Sequence, residues 1–447
     1  MGPLKRLGDF GQQLAWDAIP PAVQRRAHLA FRDTIGTIIG GSLTRSGQIA
    51  SRAATADRSA GGPLFAFATA VKASALDFDD GHYLGGAIHP GSVIVSSLLV
   101  VSQQLDVTIR DILTAQVVGY ETALRAAHLL WPRHDLDDYH CTGTAATIGA
   151  AAAVTKLRGG DADAIARAIA IAWAHAPMST FQLPMVKESI GWSACTALFA
   201  ADLANHGFMA MSPTARPSTI TKTFPPTPFD RAGAMDDPFV ASLGSTFETA
   251  NTYFKPYAAC RYTHTAARSL AELLVDESLS ADDIAAIDVY THRGAANLTD
   301  VVPASLDHAQ YSFAFVLATI ACTGAAGASQ MAEESINDPA RLAFGTKVTV
   351  HHDPDLDVHY PAHYPTRIVV TTTSRRRLEQ TRLVAPGDLD DPMSDAELNE
   401  KFVSLAQSAF TESTPNVASD LLDAHLPNDT LRAHIVRALG IGPQRES

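Results

Sequence analysis

A chain of 447 residues, 46% hydrophobic and 18% charged, has length for two or three domains and enough apolar surface for large cores, which excludes a minimal binding module and general disorder. Its 34 basic residues against 47 acidic ones leave a net charge of -13, so long-range attraction to nucleic acid or an anionic membrane is excluded unless cations cluster locally. An anionic small substrate therefore needs a local cationic pocket.

The opening residues, MGPLKRLGDFGQQL, lack the apolar core of a signal peptide. The longest apolar runs, such as Val93 to Val101, fall short of the roughly 18 residues a membrane span needs. Pro20 and Pro21 then open a segment in which Val23, Ala27, Phe31, Ile35 and Ile38 recur at helical spacing before Gly40 and Gly41. Further helices are predicted over 64–76, 92–104, 143–157, 161–175 and 188–206. Thr108 and Asp111 resemble a capping box for another, ahead of Ile112, Val117 and Leu124. The small residues of GTAATIGAAAAVT suit helices that approach closely in a buried bundle.

From about Ser212 to Phe247 the chain is rich in Pro, Thr and Asp and reads as an extended connection. A helix from Thr263 follows. Then IDVYTH, TKVTVHH and TRIVVTTTSRRRLEQTRLV carry strand alternation, the last as a hairpin, which implies a smaller α/β domain. Ser394 and Glu397 form a full capping box, after which the helical style of the first half returns. The expected fold is mainly α: a discontinuous helical domain from 1–262 and 393–447, with an α/β lid over 263–392. Cys141, Cys195, Cys260 and Cys322 form no CxxC pair, in keeping with a reduced, cytoplasmic setting.

The densest polar stretch among apolar residues is ALDFDDGHYLGGAIHPGS, which holds Asp77, Asp79, Asp80, His82 and His89. Pro90 suits a first helical turn, so His89 stands at a helix start, where free N–H groups favour a neutral imidazole able to act as a base. Helix capping with a satisfied interior histidine is the competing reading. His140 repeats this placement before the alanine-rich helix. Lys187 interrupts a stretch with few charges, a position where a lone lysine is usually a snorkelling surface residue. KPYAACRYTH gathers Lys255, Cys260, Arg261 and His264, a cluster that would bind carboxylates or decorate a domain junction.

The run HHDPDLDVHYPAHYP matches no zinc or calcium spacing and reads as a solvated loop, so no metal is expected. Arg375, Arg376 and Arg377 read as a solvated charge run at a hairpin turn. GxGxxG and Walker patterns are absent, so no nucleotide cofactor is signalled.

LDFDDGHYLGGAIHPGS, YHCTGTAATIGAAAAVTKLRG, the Lys187 segment and FKPYAACRYTHTAARSL, in that order, resemble the 2-methylcitrate dehydratase family, also called MmgE/PrpD, over nearly the whole chain. The resemblance implies a two-domain homodimer that works on a small polycarboxylate without metal or organic cofactor, and without nucleic-acid or membrane partners. It implies catalytic roles for Asp77, His89, His140, Lys187 and Lys255; Arg261, His264 and His82 are added as substrate-binding candidates. Where relatives commonly carry threonine after DFDD this chain has Gly81, and the loop to His89 is about two residues longer. The DDGH form looks most like iminodisuccinate epimerase members. Dehydration of 2-methylcitrate or a related hydroxy acid, decarboxylation of cis-aconitate, and a catalytically silent helical scaffold are the alternatives.

Overall fold

The computed structural model describes residues 3–55, 62–84, 87–131, 140–177, 185–208, 228–230, 233–234 and 236–407. It is mainly α-helical, with one four-stranded mixed sheet among the described residues. The chain divides into two units. The first takes in residues up to Ser74 and Asp79–Thr252; the second takes in Ala75–Phe78 and the described chain from Tyr253 onward.

The first unit is a bundle that includes helices Pro21–Gly41, Pro63–Ser74, Pro90–Ser102, Ile109–Leu130, Thr147–Leu157, Ala162–His175 and Met185–Asn205. All thirteen residues of Pro90–Ser102 are buried, as a helix apolar on every face requires. Ile109–Leu130 starts at the expected capping box: Thr108 Oγ1 accepts from the Asp111 N–H at 3.2 Å, and Asp111 Oδ2 accepts from the Thr108 N–H at 2.8 Å. Aspartate, though shorter than glutamate, therefore closes the motif. Small residues set the spacing of this helix against Thr147–Leu157. A Cβ at Gly119 would lie 2.9 Å from the Ala153 Cβ, and one at Gly149 would collide with the Gly119 carbonyl.

In the second unit the sheet order is β2-β1-β3-β4, with β1 at Ile284–Thr291, β2 at Val348–His352, β3 at Thr366–Thr372 and β4 at Arg377–Arg382. β1 runs parallel to β2 and antiparallel to β3, and β3–β4 is the expected hairpin. Ile287, Val289, Ile368 and Val370 pack with Phe313, Phe315 and Ile320 of helix Phe313–Thr323. Leu76 and Phe78 join this core. Three side chains tie their short segment down: Gln310 Nε2 donates to the Ala75 carbonyl at 3.1 Å, Lys255 Nζ to that of Asp77 at 3.0 Å, and Lys401 Nζ to that of Phe78 at 2.7 Å.

The Ser394–Glu397 capping box forms, and the helix it opens, Asp395–Gln407, belongs to the second unit, where Leu405 enters the core. The style of that segment predicts a return to the helical domain; 408–447 lies outside the described residues. So does most of the expected extended connection. The arginine run is exposed, with Arg375 at the turn between β3 and β4.

Candidate functional site

His89 occupies the N-cap of Pro90–Ser102, and a small loop closure brings it there. His82 and Ile88 form an antiparallel bridge, with N–H···O distances of 2.8 and 3.1 Å, so the chain returns beside Asp80. The His89 Nδ1 lies 2.9 Å from the Asp80 carbonyl oxygen. A carbonyl only accepts, so Nδ1 carries the proton and, in the neutral ring, Nε2 is the basic nitrogen. The Asp79 carboxylate stands 3.7 Å from Nδ1, placed to stabilise the imidazolium formed when Nε2 takes up a proton. The His89 backbone N–H donates to Thr142 Oγ1 at 2.9 Å.

The Asp80 side chain is fully buried and held on both oxygens. Tyr120 Oη donates to Oδ2 at 2.6 Å, and the Gly91 N–H donates to Oδ1 at 3.1 Å. Burial pushes this carboxyl well above the usual range against the bond from Tyr120, and the charges of Asp33 and Asp79 push in the same direction. A Cβ on Gly91 would sit 2.5 Å from Thr34 Oγ1 and closer still to Asp80 Oδ1. The glycine of HPG is therefore a steric requirement of this anchor.

His140 immediately precedes a wide turn. Thr142–Ala146 is π-helical and leads into Thr147–Leu157; such turns recur at functional sites. The Gly143 carbonyl accepts from Thr147 Oγ1 at 2.5 Å and Ser193 Oγ at 2.9 Å. The His89 and His140 rings lie within 10° of parallel, with centroids 6.3 Å apart. The two histidines singled out from helix starts are thus brought together.

His82 is buried. Its Nδ1 accepts from the Leu84 N–H at 3.2 Å, and its Nε2 faces Glu248 Oε2 at 3.5 Å. Burial lowers its pKa, opposed by Glu248. Glu248 is itself located by Glu121, whose carboxylate accepts from the N–H groups of Glu248 and Thr249, from Thr249 Oγ1, and from Arg125 Nη1 at 2.6 Å.

Within the second unit, Lys255 Nζ lies 3.2 Å from Asp77 Oδ1, and both side chains are buried. Asp77 adopts φ +49°, a left-handed backbone that non-glycine residues enter at a cost of order 1–3 kcal/mol and that clusters at functional sites. His264 Nε2 faces the Ala259 carbonyl at 3.0 Å and so carries the proton. Burial, then the nearby Lys255 charge, lowers its pKa to about 3, and Nδ1 offers a lone pair, which suits a donor and not an ionised carboxylate. Arg261 is paired with Asp388 and lies over the rings of Tyr253 and Tyr364, at 3.9 and 4.4 Å. Lys187 lies in helix Met185–Asn205; its side chain is outside the described residues.

The His-rich run is partly strand and partly 3-10 helix, with His351 beside Asp288 and His352 beside Asp357. Among the described residues no group of three or more potential metal ligands converges.

The MmgE/PrpD N-terminal domain matches residues 5–219, and the MmgE/PrpD C-terminal domain matches residues 257–423. The chain belongs to the MmgE/PrpD family. Among curated relatives, cis-aconitate decarboxylase of Homo sapiens is 24% identical over 360 residues, covering 78% of this chain and 73% of that protein. Cis-aconitate decarboxylase of Mus musculus is 24% identical over 363 residues, covering 78% and 72%. MmgE/PrpD members are enzymes, dehydratases and a decarboxylase among them.

Sequence reasoning does not pick out Asp80, Tyr120 and Thr142 as parts of this candidate site. Asp80 was visible only as one of several acids in DFDD. Tyr120, in the interior of an apolar helix, carries no local signal, and Thr142 is one of many small residues in its helix.

Proposed function

We propose that this MmgE/PrpD protein removes and returns a proton at a carbon beside a carboxylate of a small polycarboxylate, and that its reaction is the interconversion of iminodisuccinate stereoisomers. The observation that carries the reading is the His89–His140 pair. Reacting atoms approach to roughly 3–3.5 Å before transfer, so two bases on opposite faces of one carbon stand about 6–7 Å apart. The near-parallel imidazoles, with ring centres 6.3 Å apart, support a pair that shares one substrate.

In the proposed sequence the His89 Nε2 takes the proton, and the C–H electron pair passes into the adjoining carboxylate as an enolate-like intermediate. His140, entering as imidazolium, returns a proton to the other face; exchange with solvent resets both rings. The reverse direction exchanges their roles. A positioned base contributes about 10²–10⁴-fold, so stabilisation of the intermediate's charge must supply a large share. Lys187 and Lys255 keep, as proposals, the charge-stabilising role that the family resemblance implies. No step calls for a metal or organic cofactor.

A second reading, decarboxylation of cis-aconitate, is favoured by the names of the two relatives. There the carbanion arises by loss of CO₂ and one histidine protonates it. Dehydration of 2-methylcitrate would use the same pair on a hydroxyl-bearing substrate. Incubation in D₂O with each iminodisuccinate stereoisomer, cis-aconitate, citrate and 2-methylcitrate, read by chiral chromatography and NMR, separates the three. The expected result is stereoisomer interconversion with deuterium at the reacting carbon; CO₂ release, or alkene formation without interconversion, overturns the epimerase assignment.

We also propose a cytoplasmic homodimer. Trp192 and Phe199, 59% and 55% exposed at a seven-residue spacing on helix Met185–Asn205, present an apolar stripe that supports the dimer. Among the described residues no helix is long and apolar enough to cross a membrane. Light scattering on the purified protein checks the dimer: a monomeric mass removes it.

A further inference from the structure

We propose that the Asp80–Tyr120 pair is a positioning device that fixes His89 in the tautomer with its proton on Nδ1, so that Nε2 is the nitrogen presented for chemistry. The inference rests on the reading of His89 as an acid/base group. Asp80 serves the imidazole through its backbone and is held through its side chain: the carbonyl accepts from His89 Nδ1 at 2.9 Å, while the carboxylate receives Tyr120 Oη at 2.6 Å and the Gly91 N–H at 3.1 Å.

Tyr120 belongs to Ile109–Leu130 and Gly91 to Pro90–Ser102, so two helices clamp the one residue whose carbonyl sets the histidine. With both carboxylate oxygens engaged, the Asp80 Cα is held between two helices, and the His82–Ile88 bridge holds the chain two residues on, so the peptide whose carbonyl faces His89 is fixed from both sides. The carbonyl is therefore immobilised in the orientation that selects the Nδ1–H form. When Nε2 accepts a proton the same bond becomes charge-assisted and strengthens, which favours the imidazolium. Positioning of this kind, by a partner that does not touch the substrate, is a recurrent means of fixing an imidazole.

The test compares the wild-type protein with Tyr120→Phe, Asp80→Asn and Asp80→Ala, using ¹⁵N-histidine NMR of the His89 ring, assigned by its loss in His89→Gln, beside rates of deuterium uptake into iminodisuccinate. The wild-type ring is expected in the Nδ1–H form. Tyr120→Phe, which keeps the ring volume, should admit the other tautomer and lower kcat about 10–100-fold with KM within about threefold, as expected when a buried acceptor loses its hydrogen bond. Asp80→Asn, which still accepts from Gly91 and meets Tyr120 with a donor, should retain most of the tautomer preference that Asp80→Ala loses. An unchanged tautomer and unchanged kcat in a folded Tyr120→Phe protein overturn the proposal, whatever becomes of Asp80→Ala. Because the NMR readout needs no turnover, failure of the wild-type protein to exchange any polycarboxylate would remove the proposed reaction separately.

Discussion

Gly91→Ala adds one methyl group at a confined point of the candidate site, and its consequence follows from distances. The new Cβ would stand 2.5 Å from Thr34 Oγ1 and 2.9 Å from the Asp80 Cγ, against 3.4–4 Å for ordinary contact. Both neighbours, or the Gly91 backbone itself, must shift by about 1 Å. Thr34 is poorly placed to do so because its hydroxyl is bonded to the Ala30 carbonyl at 2.9 Å within its own helix. Asp80 gives way only by loosening its bonds to Tyr120 and to the Gly91 N–H. Overpacking of this kind destabilises by about 1–3 kcal/mol, and a 1 Å misplacement of a catalytic group costs up to roughly 10²-fold in rate. The expected variant is folded, melts several degrees lower and loses about two orders of magnitude in proton exchange. Asp80→Ala removes one of the two obstacles and leaves the Thr34 Oγ1 contact, so the loss in the double variant Gly91→Ala/Asp80→Ala should fall short of the sum of the single losses, a non-additivity diagnostic of contact. Calorimetry and deuterium uptake measured on all four proteins test this. A Gly91→Ala protein with wild-type melting temperature and rate, or strictly additive losses, refutes the reasoning.

His89→Gln and His140→Gln should each lower iminodisuccinate interconversion by about two to four orders of magnitude, and the double variant should be little slower than either single, as steady-state kinetics would show. Lys255→Met leaves the buried Asp77 carboxylate without its ammonium partner; urea unfolding should register a loss of about 3–5 kcal/mol, and less in Lys255→Met/Asp77→Asn. His264 has a folded pKa of about 3 against roughly 6.5 in an unfolded chain. Between those values the unfolded state binds a proton that the native state refuses, so this contribution is fully present above about pH 6.5 and is lost as pH falls toward 3. His264→Asn should remove up to about 1.4 kcal/mol per pH unit from the slope of stability in that window, measured by denaturant titration at several pH values; an unaltered slope contradicts the assignment.

Much of the architecture is legible because it rests on local rules. Proline at a helix start, capping boxes at Thr108 and Ser394, and β-branched alternation around Ile287 and Val369 act over a few residues, and each forms as read. His89 and His140 were legible for the same reason, since a helix start is a local feature with a stated electrostatic effect. What stayed hidden depends on partners distant in sequence. Arg261 reads as an available cation until Asp388, 127 residues later, takes its guanidinium. His264 reads as a substrate-binding candidate in a carboxylate-binding cluster until burial holds it neutral. The helix Asp395–Gln407 has the style of the first half of the chain, yet Leu405 packs in the core of the second unit, because composition does not say which apolar surface a helix will meet.

The motif DFDD compresses this lesson into four residues. Its acids look interchangeable in sequence, but Asp77 and Phe78 belong to one unit and Asp79 and Asp80 to the other. Asp77 pays backbone strain at φ +49° and pairs with Lys255; Asp79 approaches the His89 imidazole with a carboxylate oxygen; Asp80 serves the same ring with its carbonyl and uses its carboxylate as an anchor. Three acids thus acquire three tasks from their partners alone. A variant of Asp80 should accordingly alter His89 and its tautomer, whereas a variant of Asp77 should first unsettle Lys255. The two effects are separable because the first is read in the histidine spectrum and the second in the stability of the Lys255 pair.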